Sequence, residues 1–306
     1  MTTALFTHPA CLGHDAGPWH PERPDRLRAV LAALEGEAFA PLLRESAPEA
    51  TPEQLALAHP REYVAGILSI RPPPGETVAL DADTAMNEGS VPAALRAAGG
   101  AVAAVDAVME GWARNAFAAV RPPGHHAEPS RPMGFCLFNN AAIAALWARA
   151  RWGLRRVAVV DFDVHHGNGT QAIFAADAAL FYGSSHQMPC YPGTGAVTES
   201  GVAGNIVNAP LRPGEGSAAF RAAWSGRILP ALAAFAPELL VISAGFDAHR
   251  ADPLAELRLE TADFTWITEQ LVGQAGGRVV SVLEGGYDLE ALAAASAAHV
   301  RALMGA

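Results

Sequence analysis

Two short segments concentrate the groups that bind metals or move protons. DFDVHHGNGT, Asp161 to Thr170, puts two carboxylates and two imidazoles into its first six residues, and RPPGHHAEP, Arg121 to Pro129, adds a second pair of adjacent histidines. Asp163 and His165 lie two apart, so in an extended segment their side chains share one side. Asp161 shares that side by parity but lies closer to the preceding strand. A carboxylate oxygen and an imidazole nitrogen are ordinary ligands for zinc or a similar divalent ion, and a catalytic site uses three protein ligands with one position open. Asp247, in Gly-Phe-Asp, is the best-placed third ligand. His125 and His126, as adjacent side chains, diverge and suit acid–base work beside the metal. Each needs an acceptor to orient its second ring nitrogen, and Asp161 and Asn168 are the candidates. His166 points away from His165 and reads as structural. Tyr287, after Gly285-Gly286, can offer a phenol to an oxygen that becomes negative. Gly134-Phe135 and Tyr191 can wall a narrow channel.

Such side chains act together only if the fold gathers distant segments. Apolar, often β-branched runs predict strands at Ala4–Thr7, Ala116–Val120, Arg156–Val160, Ala179–Tyr182, Asn205–Val207, Leu239–Ser243 and Arg278–Leu283. Ala- and Leu-rich segments predict helices at Pro24–Leu34, Val91–Glu110, Asn140–Ala150, Ser217–Phe235 and Thr261–Ala275. Apolar strands alternating with helices imply an α/β fold whose parallel sheet is covered on both faces. Five polar clusters (RPPGHH, DFDVHH, GSSH, AGFDAHR and EGGY) each follow a predicted strand. Ligands of open α/β sheets bind outside the carboxyl ends of strands, so all five converge on one crevice.

The bulk composition agrees. With 306 residues, 51% hydrophobic and only 17% charged, the chain buries a large core, and no linker divides it, so 1–306 is expected to be a single domain. A net charge of −10 excludes a general nucleic-acid binder. Every basic side chain other than histidine is arginine, scattered along the chain, which reads as coding bias. Cys11, Cys136 and Cys190 lie far apart without CxxC spacing and suit a reducing compartment. The N-terminal residues lack signal-peptide features, and Asp106, Glu110 and Arg114 interrupt the apolar run from Gly99 to Ala119, so no membrane span and a cytoplasmic location are expected.

VRPPGHHAEP, GFCLFNN, DFDVHHGNGTQ, SSHQMPCYPGTG, SAGFDAHRADPL and LEGGYDL, in this order, resemble the zinc-dependent histone deacetylase family of the arginase/deacetylase superfamily. The RPPGHH and EGGY forms are similar to class II enzymes and their bacterial relatives, which include acetylpolyamine amidohydrolases. The N-terminal HPACLGHDAGPWHPERPDRL fits the same group, so the resemblance runs from about residue 8 to about residue 290. It implies a three-layer α/β/α arrangement around a mostly parallel eight-stranded sheet. It implies zinc on Asp163, His165 and Asp247, but not on Asp252, with Tyr287 as the transition-state tyrosine. It pairs His125 with Asp161 and His126 with Asn168. Gly134 matches a carbonyl that receives the substrate N–H, Phe135 and Tyr191 match the walls around the acyl-lysine stem, and Ser90 matches a rim serine. Potassium is implied at Asp161, the carbonyls of Asp163, His165 and Ser185, and the Ser184 hydroxyl; a second cation is implied around Phe174, Asp177 and Leu180.

The implied reaction is removal of acetyl or a related acyl group from acyl-lysine by metal-activated water. His126 is the base, and His125 and Tyr287 stabilise the tetrahedral intermediate. Polyamine-selective relatives carry an acid seven residues after the third ligand; here that position is Leu254, which cannot pair with a distal ammonium. Acyl-lysine in proteins or peptides is therefore favoured over acetylpolyamines or another small acylated amine. A binuclear manganese ureohydrolase would need further aspartates where His125, His126 and Tyr287 stand, and a catalytically weak acyl-lysine reader would be expected to lack Tyr287.

Overall fold

The computed structural model describes residues 2–305. Its strands are β1 Thr3–Thr7, β2 Leu43–Ser46, β3 Val78–Ala79, β4 Ala85–Met86, β5 Asn115–Ala118, β6 Val157–Asp161, β7 Leu180–Gln187, β8 Ile206–Leu211, β9 Leu239–Ala244 and β10 Val279–Leu283. The helices are α1 Pro24–Ala33, α2 Pro52–Leu55, α3 Arg61–Ser69, α4 Ser90–Glu110, α5 Asn140–Trp152, α6 Asn168–Phe174, α7 Ser217–Ala223, α8 Leu229–Phe235, α9 Thr261–Val272 and α10 Leu289–Met304. Eight strands make one sheet in the order β2-β1-β5-β10-β9-β6-β7-β8. Every pairing in it is parallel. Helices α1, α10 and α9 pack in one row and α4 with α5 in another, covering the sheet as its apolar strands require.

Strands β5, β10, β9 and β6 are buried along their whole length. Their continuous apolar runs are why the sequence reveals them. β2, Leu-Arg-Glu-Ser, is exposed throughout and lacks both alternation and β-branched residues, so nothing local announces it. It is an edge strand, held by its register with β1. The predicted helix at Ser217–Phe235 is α7 and α8 joined by a π-helical turn at Trp224–Ile228. Helix α10 was signalled by Asp288, whose side chain caps the Ala291 N–H, but is absent from the predicted set.

The membrane expectation needs one correction. α4 is long and apolar enough to cross a bilayer by length and composition, because Asp106 and Glu110 fall near its end rather than in its middle. Of its most apolar window, 72% is buried inside the protein, so its apolarity serves the core.

Candidate active site

Five consecutive strands, β5-β10-β9-β6-β7, deliver the chemistry-bearing segments to one edge of the sheet. Arg121–His126 follows β5, Asp161 ends β6 with Asp163 and His165 just beyond, Asp247 follows β9, and Glu284–Tyr287 follows β10. The Ser184-Ser185 pair differs from expectation. β7 runs on to Gln187, so both serines lie inside the strand.

Asp163, His165 and Asp247 are all buried, each offering a ligand atom within 4.8 Å of the others. His165 Nδ1 lies 3.2 Å from Asp163 Oδ1 and 3.2 Å from Asp247 Oδ2. Each carboxylate is also pinned from behind: Asp163 Oδ2 accepts the Gly285 N–H at 2.8 Å, and Asp247 Oδ1 accepts the Val164 N–H at 2.8 Å. A Cβ on Gly245 would lie 2.0 Å from Asp163 Oδ2 and one on Gly285 2.1 Å from Asp247 Oδ2, so only glycine fits at either place. Burial pushes Asp247 up to about 7, reinforced by Asp163. Burial also acts to raise Asp163, but positive His125 and hydrogen-bonded His165 overcome it and hold it well below the carboxylate range. Two adjacent buried carboxylates resist ionising together without a counter-charge. The donor set and the crowding of negative charge both fit a divalent cation held by these three residues.

The adjacent histidines do not diverge as expected. Their rings stand 4.0 Å apart, because each is drawn to its own acceptor. His125 Nδ1 bonds Asp161 Oδ2 at 2.9 Å, and His126 Nδ1 bonds Asn168 Oδ1 at 2.8 Å. The Asn168 amide is oriented by its other end, where Nδ2 donates to Glu128 Oε1 at 2.8 Å. Its oxygen therefore faces His126, so Nδ1 carries that ring's proton and Nε2 is free to accept. Burial would lower His125, but Asp163 and Asp161 raise it to about 10. His126 is lowered well below its ordinary value by burial and by the positive charge of His125 and His165. A divalent cation on Asp163 and His165 would take the place of the His165 proton and keep His126 low. Replacing the neutral acceptor should reverse part of it: Asn168→Asp is expected to move the acid limb of the kcat/KM profile upward by about one pH unit. An unmoved limb in the pH–rate profile would show that Asn168 does not set the state of His126.

A cavity of about 230 Å³ opens over this cluster. His165 and His126 are buried at its floor, while Tyr191 and Leu254 are 38% and 36% exposed at its mouth. Phe135, Gly134 and Tyr287 line it between. Tyr191 meets the His126 ring edge-on at 5.1 Å, and Phe135 meets Tyr287 at 5.9 Å. Gly134 adopts φ 56° directly over the His126 ring, where a Cβ would come within 2.4 Å of the imidazole, so no other residue closes this turn. Burial raises the Tyr287 phenol well above its ordinary value, which keeps it a donor.

The rim serine is a correction. Ser90 is fully buried at the start of α4, bonded to His14 Nδ1 at 2.7 Å and to Asn87, and does not line the cavity. The turn between β3 and β4 supplies Asp83 instead, whose Oδ1 accepts the Gly134 N–H at 3.1 Å. Thr84 Oγ1 accepts the Phe135 N–H beside it. The carbonyls of Phe174, Asp177 and Leu180 do converge, but on the side-chain amide nitrogen of Asn205.

Several positioning residues escaped the sequence reading. Glu284 Oε2 accepts the N–H groups of Gly124 and His125 and so aims the histidine loop. Asp252 accepts the N–H groups of Leu254 and Tyr287, joining the cavity mouth to the phenol. Arg26 donates to the carbonyls of Gly286 and Glu284, and its guanidinium carbon lies 4.8 Å from the Tyr287 ring centroid. His20, edge-on to Phe135 at 4.7 Å, bonds the Asp83 carbonyl. These acids and arginines look like ordinary surface charge in a linear sequence. The HPERPDRL run, with two prolines fixing its turns, was the available signal for Glu22 and Arg26.

The model of the histone deacetylase domain matches residues 20–303. Histone deacetylase 14, chloroplastic, of Arabidopsis thaliana is 39% identical over 98% of this chain and 76% of its own length. The histone deacetylase-like amidohydrolase of Pseudomonas aeruginosa is 40% identical over 93% of this chain and 81% of its own. Among solved structures, the HDA15 HD domain superposes with a TM-score of 0.93 at 40% identity, covering 99% of this chain and 88% of that one. The three-layer arrangement around a parallel eight-stranded sheet is thus the arginase/deacetylase fold. By fold, extent of match and identity, this chain belongs to the histone deacetylase family.

Proposed function

We propose that the chain is a zinc-dependent deacetylase that removes acetyl or related acyl groups from acyl-lysine in proteins or peptides. The observation that carries this reading is the buried Asp163–His165–Asp247 cluster at the floor of an aromatic-walled cavity whose mouth holds Leu254. A divalent ion there supplies Lewis-acid polarisation of the amide carbonyl and a lowered water pKa. His126, neutral and with Nε2 free, takes a proton from the attacking water and returns one to the departing amine. His125, kept cationic against Asp161, and the Tyr287 phenol stabilise the charge on the tetrahedral oxygen. The Gly134 carbonyl orients the substrate N–H while Phe135 and Tyr191 exclude water from the stem. Potassium on Asp161, Ser184 and the carbonyls of Asp163, His165 and Ser185 belongs to the same reading. His186 Nε2 faces the Gly195 carbonyl and must donate to it, so Nδ1 accepts from Ser184 and leaves that hydroxyl's lone pairs for a cation.

One observation favours a second reading, a small acylated amine as substrate: Asp83 puts a carboxylate in the cavity lining. It is already engaged by the Gly134 N–H and the Thr84 hydroxyl, which weakens its pull on an ammonium. Comparing kcat/KM for an acetyl-lysine peptide and acetylputrescine decides between them. The peptide is expected to be the better substrate, and Leu254→Glu is expected to raise kcat/KM for acetylputrescine about tenfold through a new ion pair. Preference for acetylputrescine in the wild type would establish the second reading.

A further inference from the structure

We propose that the side-chain amide of Asn205 permanently fills the place where a second monovalent cation would sit, so that a protein donor rather than an ion ties α6 to β7. Asn205 Nδ2 lies 3.1 Å from the Phe174 carbonyl oxygen, 3.1 Å from that of Asp177 and 2.9 Å from that of Leu180. Three carbonyl oxygens aimed at one point form a cage of negative partial charge. The Phe174 and Asp177 carbonyls each also accept a backbone N–H, from Asp177 at 3.1 Å and from Leu180 at 3.0 Å, so a cation or a further donor at the centre takes their remaining lone pairs. Phe174 ends α6, where helix carbonyls lack intrahelical partners and the dipole favours positive charge. The amide nitrogen supplies that positive end, its two hydrogens shared among three acceptors.

Little room remains for the side chain to withdraw. Asn205 is 3% exposed, its Oδ1 accepts the Ala203 N–H, and its own carbonyl accepts the Tyr182 N–H at 2.9 Å. A Cβ on neighbouring Gly201 would already approach Oδ1 to 2.4 Å. From outside, Arg149 donates to Asp177 Oδ2 at 2.5 Å, so the carboxylate nearest the cage is already paired. An ion cannot share the cage with the amide, so the expected cation around Phe174, Asp177 and Leu180 does not fit this chain. The connection so fixed has functional neighbours: α6 begins at Asn168, the partner of His126, and β7 carries Ser184 and Ser185.

Rubidium, which scatters anomalously and replaces potassium, locates the ions directly. Wild-type crystals in RbCl should show no peak among the three carbonyls, whatever appears beside Asp161 and Ser184. Asn205→Ala empties the cage and should admit a rubidium peak there. Its melting temperature should rise on exchanging choline chloride for KCl by about 3 °C more than that of the wild type. Asn205→Asp, which keeps the shape but adds a carboxylate among carbonyls, should melt lower than wild type in choline chloride and regain most of the loss in KCl. A wild-type rubidium peak in the cage overturns the proposal. So does an Asn205→Ala protein with neither the peak nor the added potassium response. Should that variant fail to fold in either salt, the wild-type map and Asn205→Asp decide.

Discussion

Asp247→Asn is expected to cut deacetylation at least about a thousandfold and to empty the metal site, yet to leave the metal-free chain more stable than metal-free wild type at pH 8. Asparagine keeps an oxygen for the Val164 N–H, so the loop geometry survives while a ligand charge is lost. In the metal-free wild type Asp247 is raised from 3.8 to about 7, first by burial and then by Asp163. Folding therefore takes up a proton at that carboxylate, and stability falls as pH rises from about 4 to about 7. Above that window the whole penalty applies, and asparagine carries none of it. A bound divalent cation reverses the ranking, because only the wild type gains from it. Melting curves of the zinc-loaded and chelator-treated proteins, each with its variant, measure both halves. If metal-free Asp247→Asn melted below metal-free wild type at pH 8, the two carboxylates would not be repelling each other, and the cluster would lose its electrostatic argument for a cation.

The gathering of Asp163, His165 and Asp247, and the acceptors of the paired histidines, were legible for a physical reason. Parallel strands buried on both faces are continuous apolar runs, and the groups after their carboxyl ends share one crevice. Parity then ranked Asp163 and His165 above His166, whose ring instead bonds Thr194 and Gln171. Ser90 was placed at the rim by resemblance alone, and nothing in the linear sequence ties Asp83 to the Gly134 N–H that it accepts. Glu284, Asp252 and Arg26 were illegible for a different reason. Each acts by donating to, or accepting from, backbone far away in sequence, and a single acid or arginine carries no mark of that partner. Glu284 reaches back 160 residues to the Gly124 N–H, a relation that exists only once β10 lies beside β5. Asn205 is the extreme case: only the convergence of three carbonyls distinguishes it from any other turn asparagine.

Glu22→Gln should cost about 3–5 kcal/mol of stability at neutral pH, lowering the melting temperature by about 10 °C. Glu22 is fully buried between two fully buried guanidiniums, at 2.9 Å from Arg26 Nη1 and 2.5 Å from Arg121 Nε. One carboxylate already balances two positive charges, so neutralising it leaves both arginines uncompensated in the interior. Burial acts to raise the Glu22 carboxyl, but Arg121 and Arg26 outweigh it and hold it at about 2, below an ordinary 4.5. A carboxyl lowered by folding contributes stability that is fully present above 4.5 and is lost as pH falls toward 2. The gap between wild type and variant should therefore stay constant from pH 6 to pH 8 and narrow only below about 4.5. The consequence reaches the active site, because Arg26 also clamps the Gly286 and Glu284 carbonyls and stacks beside Tyr287. In the surviving folded fraction kcat should fall more than KM rises if, as proposed, the phenol acts on the transition state rather than on substrate binding. Thermal melts across that pH range, with kinetics taken well below the variant's melting temperature, test both statements. A gap that persisted undiminished to pH 2.5 would mean that packing, not the charge of Glu22, accounts for the loss.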